Sequence, residues 1–279
     1  LKKFLRTLSM FRPAVIYSQE EPFTLFTREC MKYAKDLRCP FYIFTWENRI
    51  GFRLDGEFDR IEQHAIQDAV GIICGNSLAR ERMLKLGADK SKLFVLPQTG
   101  LNPDLFKNLN KEKVFDLVYH GRMVREKGLP FLESVAKELE LKMLWIGSRG
   151  QYHPRYGEHI EWTPYEELPE LINSAKIGIQ IPFSYNGFCE QMNFSVGECC
   201  LAELPVIASD NGSIPENYAG SPVRIIPQGD KDRLKEEIKI LLADDLKREK
   251  LGKEGRAWVI EHLSLDTIAK KLLEILELT

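Results

Sequence analysis

Short apolar runs alternate with amphipathic stretches along the whole chain, the pattern expected when parallel strands are joined by crossover helices. Apolar runs at 13–18 (PAVIYS), 41–45 (FYIFT), 70–74 (VGIIC) and 93–96 predict four strands. Helical spacing predicts helices over 22–37, 58–69 and 78–86, the last ended by Gly87. Residues 1–11 read as the end of a further helix. At 97–103 (PQTGLNP) the chain turns to loop formers, with polar 108–113 soon after. The alternation then restarts. Strands are predicted at 115–120 (FDLVYH), 142–146, 176–181 (KIGIQI), 205–208 and 223–226. Helices are predicted at 129–139, 165–174, 194–202, 230–243, 247–261 and 265–278.

The pattern therefore predicts an α/β protein with parallel sheets in two domains, 1–103 and 104–261, followed by a last helical segment at 262–279. Four strands in the first hundred residues is few for a doubly wound sheet, which has five or six. Because the chain opens on Leu1 and not on methionine, earlier strands are expected outside it, which makes the N-terminal domain incomplete.

Composition narrows the classes without choosing one. Of 279 residues, 44% are apolar and 29% charged, a globular balance. The net charge of −2 gives no bulk attraction to nucleic acid. No apolar run reaches the ~18 residues of a membrane span, and no signal-peptide pattern opens the chain. The six cysteines include no C-x-x-C pair, which argues for reduced thiols in the cytoplasm. Sequons occur at Asn193 and Asn211, inside segments expected to form a ligand site, where a glycan would obstruct binding. The opening stretch, with Lys2, Lys3 and Arg6 beside Phe4, Leu5 and Leu8, fits a docked helix or peripheral contact with the inner face of a membrane.

Three segments could carry chemistry. Tyr119-His120-Gly121-Arg122, followed by Glu126-Lys127-Gly128, sits between a predicted strand and a helix. Ligands bind at the carboxyl ends of strands in open α/β sheets. There Gly121 would admit a close ligand, and Arg122 and Lys127 would balance a diphosphate. A solvated basic loop has the same composition. The second segment runs from Glu190 to Glu198, with Asn193 or Ser195 placed to cap the helix that carries Glu198. A helix start is a ready anion site, and carboxylates on either side could accept sugar and ribose hydroxyls. The bare spacing is equally that of a glutamate facing solvent. The third is 203–216, a strand, a loop containing Gly212 and a helix, which also reads as an ordinary turn. The five histidines lack metal-ligand spacing, and no Walker lysine loop or G-x-S-x-G elbow occurs. Trp145 reads as core, and His153 and His159 as surface residues.

In combination these segments resemble the retaining glycosyltransferases of family 4, which have the GT-B fold. The resemblance rests on YHGRMVREKG, WIGSRG, the Glu-x7-Glu pair, LPVIAS and GSIPE in that order. PFYIFTWEN, GIICGNS and LPQTGLNPDLF resemble a subset carrying a TW-acid/amide-N sequence where many relatives have a histidine. The resemblance implies two Rossmann-like domains, the C-terminal one holding a nucleotide-sugar donor and the N-terminal one an acceptor, with the last helix crossing back. It places Arg122 and Lys127 at the donor diphosphate, Glu190 at the transferred sugar and Glu198 at the ribose. It also places Gly121, Asn193, Phe194 and Ser195 against phosphate and sugar, and Trp162 and Thr163, in the stretch 160–163, by the base. Glu47 and Asn48 fall where the acceptor-side histidine is usual, so Glu47 is a candidate base or orienting group. The implied activity is transfer of a hexose from a UDP-, GDP- or ADP-sugar to a hydroxyl of a saccharide or lipid-linked acceptor. No metal or other cofactor is expected.

Two departures from the family pattern bear on this site. Asn193 replaces a glycine usual after the first glutamate, and Ala202-Glu203-Leu204 lacks a glycine usual before Pro-Val. A non-catalytic sugar-nucleotide-binding module and a sugar-nucleotide epimerase are the competing readings.

Overall fold

A computed structural model describes residues 10, 12–148, 150–185, 187 and 189–278. The predicted helix at 1–11 and the basic stretch around Lys2, Lys3 and Arg6 lie outside the described residues, apart from Met10. The chain divides into two compact units, one of residues up to Thr99 together with those from Ile268 onward, the other Gly100–Thr267. The division falls four residues before the boundary after residue 103 expected from the sequence. The cause is local: the Leu101 amide donates to the Leu263 carbonyl at 2.8 Å and the Leu265 amide to the Leu101 carbonyl at 2.9 Å. These bonds tie the start of the second unit to its end.

The first unit holds β1 (Ile16–Ser18), α1 (Leu25–Leu37), β2 (Phe41–Thr45), α2 (Gly56–Asp68), β3 (Gly71–Cys74), α3 (Ser77–Lys85) and β4 (Leu93–Val95). The strands form one parallel sheet in the order β1-β2-β3-β4. β2 and β3 are buried along their whole length, which is why their sequences are continuous apolar runs. Ala34, Ala65, Ala69, Ala79 and Met83 pack with Ile43 and Ile72 in the core. Thr24 and Asn76 cap α1 and α3 by accepting from the Thr27 and Ala79 amides. Inside the unit, buried Arg82 makes a two-pronged bond with buried Glu62, at 2.8 and 3.0 Å.

The second unit holds β5 (Phe115–His120), α4 (Leu129–Glu138), β6 (Met143–Ile146), β7 (Glu158–Ile160), α5 (Leu168–Ile172), β8 (Ala175–Gln180), α6 (Phe194–Leu201), β9 (Val206–Ser209), α7 (Ile214–Asn217) and β10 (Arg224–Ile226). These are followed by α8 (Lys231–Leu242) and α9 (Asp245–Leu263). α10 (Leu265–Ile275) starts in this unit and ends in the first. Six parallel strands run in the order β10-β9-β8-β5-β6-β7. Numbered within the unit this is 6-5-4-1-2-3, the Rossmann order. Leu117, Tyr119, Met143, Trp145, Ile177 and Ile179 form the sheet's part of the core against Leu129, Leu132 and Val135 of α4. Trp145 is fully buried, with its indole N–H donating to the Tyr156 carbonyl at 2.8 Å.

Two elements differ from expectation. The helix predicted at 165–174 is confined to Leu168–Ile172, with Pro169 in its first turn. Proline lacks an amide proton and fits only there, so the helix cannot begin earlier and Tyr165 stays in the preceding turn. The strand β7 (Glu158–Ile160, EHI) was not foreseen: it is three residues long, partly exposed, and carries no apolar run. None of the six cysteines is in a disulfide. Burial pushes the Cys74 and Cys200 thiols up to about 12. No described helix is long and apolar enough to cross a membrane.

Candidate functional site

In the second sheet the order reverses between β5 and β8, so their carboxyl ends flank the crevice where ligands of doubly wound sheets bind. A cleft of about 460 Å³ opens there. His120, Gly121 and Arg122 line it beyond β5, Gly147 and Ser148 beyond β6, and Glu161, Trp162 and Thr163 beyond β7. Tyr165, Ser195 and Glu198 complete the wall. The floor depends on one close backbone approach. A Cβ at Gly147, whose φ is +139°, would lie 1.9 Å from the Gly121 carbonyl oxygen. Only a bare Cα there lets the turns after β5 and β6 meet.

α6 is a short helix buried on nearly every side, with Val196, Gly197, Glu198, Cys199, Cys200 and Leu201 all inside. Its C-terminal end is held by Arg256, which donates to the Leu201 carbonyl at 2.5 Å and to the Phe106 and Pro103 carbonyls. At its N-terminal end the expected side-chain cap is absent: Asn193 stands at the cap position without capping. Its amide group points instead toward Glu190 Oε2 at 3.4 Å and Gln180 Oε1 at 3.5 Å. Its carbonyl accepts from the Tyr218 hydroxyl at 2.6 Å, and that hydroxyl oxygen accepts from the Gly197 amide at 3.1 Å. Asn193 has φ −98°, so replacing glycine here costs no left-handed strain. Among the described residues nothing accepts from the Phe194 or Ser195 amide. The helix start therefore presents free N–H groups and a partial positive charge beside the cleft.

The two glutamates of the Glu-x7-Glu pair are both buried, but in different surroundings. Glu198 accepts from the Tyr165 hydroxyl at 2.6 Å and pairs with His120 Nε2 at 2.7 Å. Glu190 pairs with Lys127 at 2.5 Å. Its backbone amide donates to Asn211 Oδ1 at 2.9 Å, and its carbonyl accepts from the Ser213 amide at 3.0 Å. The loop at 211–213 thus supports Glu190. Asn193 and Asn211 are buried at these contacts, so a glycan on either would disrupt the site.

Gly121, Arg122, Trp162, Thr163, Ser195 and Glu198 are brought together around the cleft. Arg122 is exposed there and makes no ion pair among the described residues, and Trp162 is 75% exposed. Lys127, Glu190, Asn193 and Phe194 do not line the cleft; Glu190 and Asn193 connect to it through Gln180, whose amide donates to the His120 carbonyl at 2.9 Å. His159 is not a bare surface residue: it is half-buried, with Nε2 at 2.9 Å from the Gly147 carbonyl beneath the cleft. Among the described residues no cluster of three or more His, Cys, Asp or Glu side chains could hold a metal ion.

Glu47 and Asn48 belong to the first unit, beyond the carboxyl end of β2, and both are buried. Arg49 grips both Glu47 oxygens, at 2.8 and 2.6 Å, and its amide adds a third bond at 3.0 Å. Burial alone would raise the Glu47 carboxyl; the Arg49 bonds and charge overturn this and hold it below the usual range. Such a carboxylate is a poor proton acceptor and a firm structural anchor. Glu21 nearby accepts from the Thr45 hydroxyl at 2.7 Å and the Trp46 amide at 2.8 Å, with its carboxyl raised by burial.

His120 and Tyr165 are the site residues that sequence reasoning missed. His120 stood in view within YHGR, but its partner lies 78 residues away. Tyr165 was hidden by the assumption that it began a helix.

A family profile described as glycosyl transferase-like matches residues 125–274, more than half of the chain. The chain belongs to this family. A stretch of 114 residues is 29% identical to MMP alpha-(1->4)-mannosyltransferase of Mycolicibacterium hassiacum, covering 40% of the chain and 26% of that relative. The chain thus matches about a quarter of that enzyme's length. Among solved structures, the chain is similar to Anabaena HepE in complex with UDP, with a TM-score of 0.79 at 13% identity over 99% of this chain and 81% of that one. It is also similar to sucrose-phosphate synthase from Thermosynechococcus elongatus, with a TM-score of 0.74 at 17% identity over 99% and 77%. At these identities the likeness establishes the GT-B fold, with two Rossmann-like sheets of four and six parallel strands.

Proposed function

We propose that this chain is a retaining glycosyltransferase of family 4 that moves a hexose from a nucleoside diphosphate sugar to an acceptor hydroxyl on a saccharide or lipid-linked saccharide. The observation that carries this reading is the cleft at the sheet's switch point, where the unpaired Arg122 guanidinium and the start of α6 meet buried Glu198. A cation and a helix start suit a diphosphate, and a buried carboxylate suits hydroxyl donors. The exposed Trp162 ring on the rim suits a base. Structural neighbours described as complexes with UDP and UDP-glucose, and a relative described as a mannosyltransferase, support a nucleotide-hexose donor.

In this reading the bond between the sugar's anomeric carbon and the diphosphate oxygen breaks, and a bond from that carbon to the acceptor oxygen forms. The acceptor proton passes to the leaving diphosphate. Arg122 and Lys127 offset the charge that builds there, which makes a metal unnecessary. In this reading Lys127 and Glu190, paired with each other behind the cleft lining, reach the diphosphate and the transferred sugar when the donor binds. The Arg49-bound Glu47 orients the acceptor and does not serve as base. That same engagement of Glu47 favours a second reading, a non-catalytic module that binds the sugar nucleotide only.

Arg122→Ala and Lys127→Ala test the reading. Loss of one charge-assisted contact at about 1.5–3 kcal/mol would weaken diphosphate binding roughly tenfold or more and abolish detectable transfer. Unchanged turnover in both variants would exclude the assignment. Donor binding by the parent with transfer at background would favour the binding module, and product formation without acceptor would indicate an epimerase.

A further inference from the structure

A second cleft, of about 550 Å³, opens in the same unit between the turns after β5 and β6 and the loop after β8. Val124, Arg125 and Glu126 line it from the first turn, Gly150 and Gln151 from the second, and Tyr185 from the loop. It shares no lining residue with the switch-point cleft, and neither Lys127 nor Glu190 lines it. The two clefts are neighbours along the chain: Arg122 and Ser148 line the first, and Val124 and Gly150, two residues further on, line the second.

Backbone contacts fix the walls. A Cβ at Gly150 would lie 1.7 Å from the Met123 carbonyl oxygen and 2.9 Å from the Val124 side chain, so a bare Cα is needed for the two turns to close on each other. The Met123 amide donates to the Ser148 carbonyl at 3.1 Å, and the Tyr152 amide to the Met123 carbonyl at 3.0 Å. Phe183 draws the third wall in: its amide donates to the Glu126 carbonyl at 2.8 Å, and its ring meets Phe131 edge-on at 5.1 Å. The Ser184 amide donates to Gln228 Oε1 at 2.8 Å, and its hydroxyl accepts from Asn211 Nδ2 at 3.0 Å. Tyr185 thus leaves an anchored residue, and it is 50% exposed.

The lining selects a class of ligand. Among the described residues the side chains of Arg125, Glu126, Gln151 and Tyr185 make no hydrogen bond or ion pair. They offer guanidinium and amide donors, carboxylate and amide acceptors, and an aromatic face. The charges of Arg125 and Glu126 cancel, which disfavours a phosphate, and the polar majority disfavours an apolar ligand. A pyranose ring matches: each hydroxyl both donates and accepts, so adjacent hydroxyls bond planar side chains in pairs, and the C–H face of the ring lies on an aromatic one.

We infer that this cleft binds a neutral saccharide chain, the part of an acceptor glycan that lies beyond the residue being glycosylated. The acceptor role rests on the reading of the chain as a glycosyltransferase; saccharide binding rests on the cleft alone. Rings that do not react then supply binding energy that holds the reacting one in place.

Saturation-transfer NMR and calorimetric titration with maltotriose, cellotriose and mannotriose test this on the parent protein, Tyr185→Ala and Gln151→Ala, each with and without a mixture of UDP, GDP and ADP. The parent is expected to bind at least one trisaccharide whether or not nucleotide is present. Tyr185→Ala weakens that binding about fivefold or more and Gln151→Ala about threefold or more, with nucleotide binding unchanged in both. If the two variants disagree, Tyr185→Ala decides, since it removes the aromatic face. A parent that takes up none of the three, a trisaccharide displaced by nucleotide, or binding that Tyr185→Ala does not weaken would overturn the inference and leave the nucleotide reading intact. Saccharide binding with no response to any nucleotide would overturn the transferase reading, and with it the acceptor role, but not the saccharide cleft.

Discussion

The backbone of Gly212 lies directly against that of Glu190: a Cβ on Gly212 would come within 2.3 Å of the Glu190 carbonyl oxygen and 2.5 Å of its amide nitrogen. Gly212 also has φ +57°, the left-handed region that favours glycine. Its neighbours Asn211 and Ser213 bond the same two backbone groups. The loop after β9 is therefore a cradle for Glu190, and its glycine is required for closeness as much as for conformation.

Gly212→Ala is accordingly expected to act on both stability and binding. Strain and displacement together should cost about 2 kcal/mol in urea unfolding. Because Glu190 and its Lys127 partner would shift with the loop, affinity for the sugar nucleotide should fall about tenfold, as read by calorimetry. An alanine variant with parental stability and affinity would show that the loop does not support the site.

Glu203 occupies the turn between α6 and β9 with φ +59°. The family pattern has a glycine before Pro-Val in this turn, which suits its geometry: the backbone is left-handed, which costs a residue with a Cβ about 1–2 kcal/mol. Its carboxylate recovers part of this by accepting from Asn108 Nδ2 at 3.0 Å. Glu203→Gly should raise stability by about 0.5–1 kcal/mol, whereas Glu203→Val should lower it by about 1 kcal/mol or more. Thermal unfolding at neutral pH checks the pair, and a loss in both variants would contradict the backbone argument.

Glu237 gives a pH prediction. Its buried carboxylate is gripped by Arg224 at 2.9 Å through both oxygens, and by Arg233 at 2.5 Å. Arg224 is the main cause that holds it below the ordinary value of 4.5. A depressed carboxyl contributes stability that is present above the unfolded value and is lost as pH falls through the folded one. Glu237→Gln should therefore lower stability by about 1–3 kcal/mol at pH 7, and the gap to the parent should close progressively below pH ~4. A gap that stays constant from pH 7 to pH 3 would mean the charge pairing contributes nothing.

Much of this arrangement is legible in the sequence, and the illegible part has identifiable causes. β2 and β5 are bounded in the structure as their apolar runs predict, with Pro40 opening β2 and Gly121 ending β5. α5 is shortened by Pro169, and β7 carries a pattern too short and polar to register. At the site, Arg122 and Glu198 stand out because their neighbours fit a strand end and a helix start. The bond from His120 to Glu198 does not, since it depends on α6 packing over the strand ends, which no local spacing encodes. The Arg49 hold on Glu47 was within reach of sequence reasoning, two positions along, but only the structure shows both oxygens occupied.

The most direct test of the central claim is a thermal-unfolding screen of the protein against UDP-, GDP- and ADP-sugars. A ligand that binds only the folded state at a hundred times its dissociation constant adds about 2.7 kcal/mol of stability. For a unit of this size that raises the midpoint by roughly 5–10 °C. The account predicts such a rise with one nucleotide class, cut by about half or more in Arg122→Ala at the same ligand concentration. A midpoint unmoved by every sugar nucleotide would contradict it.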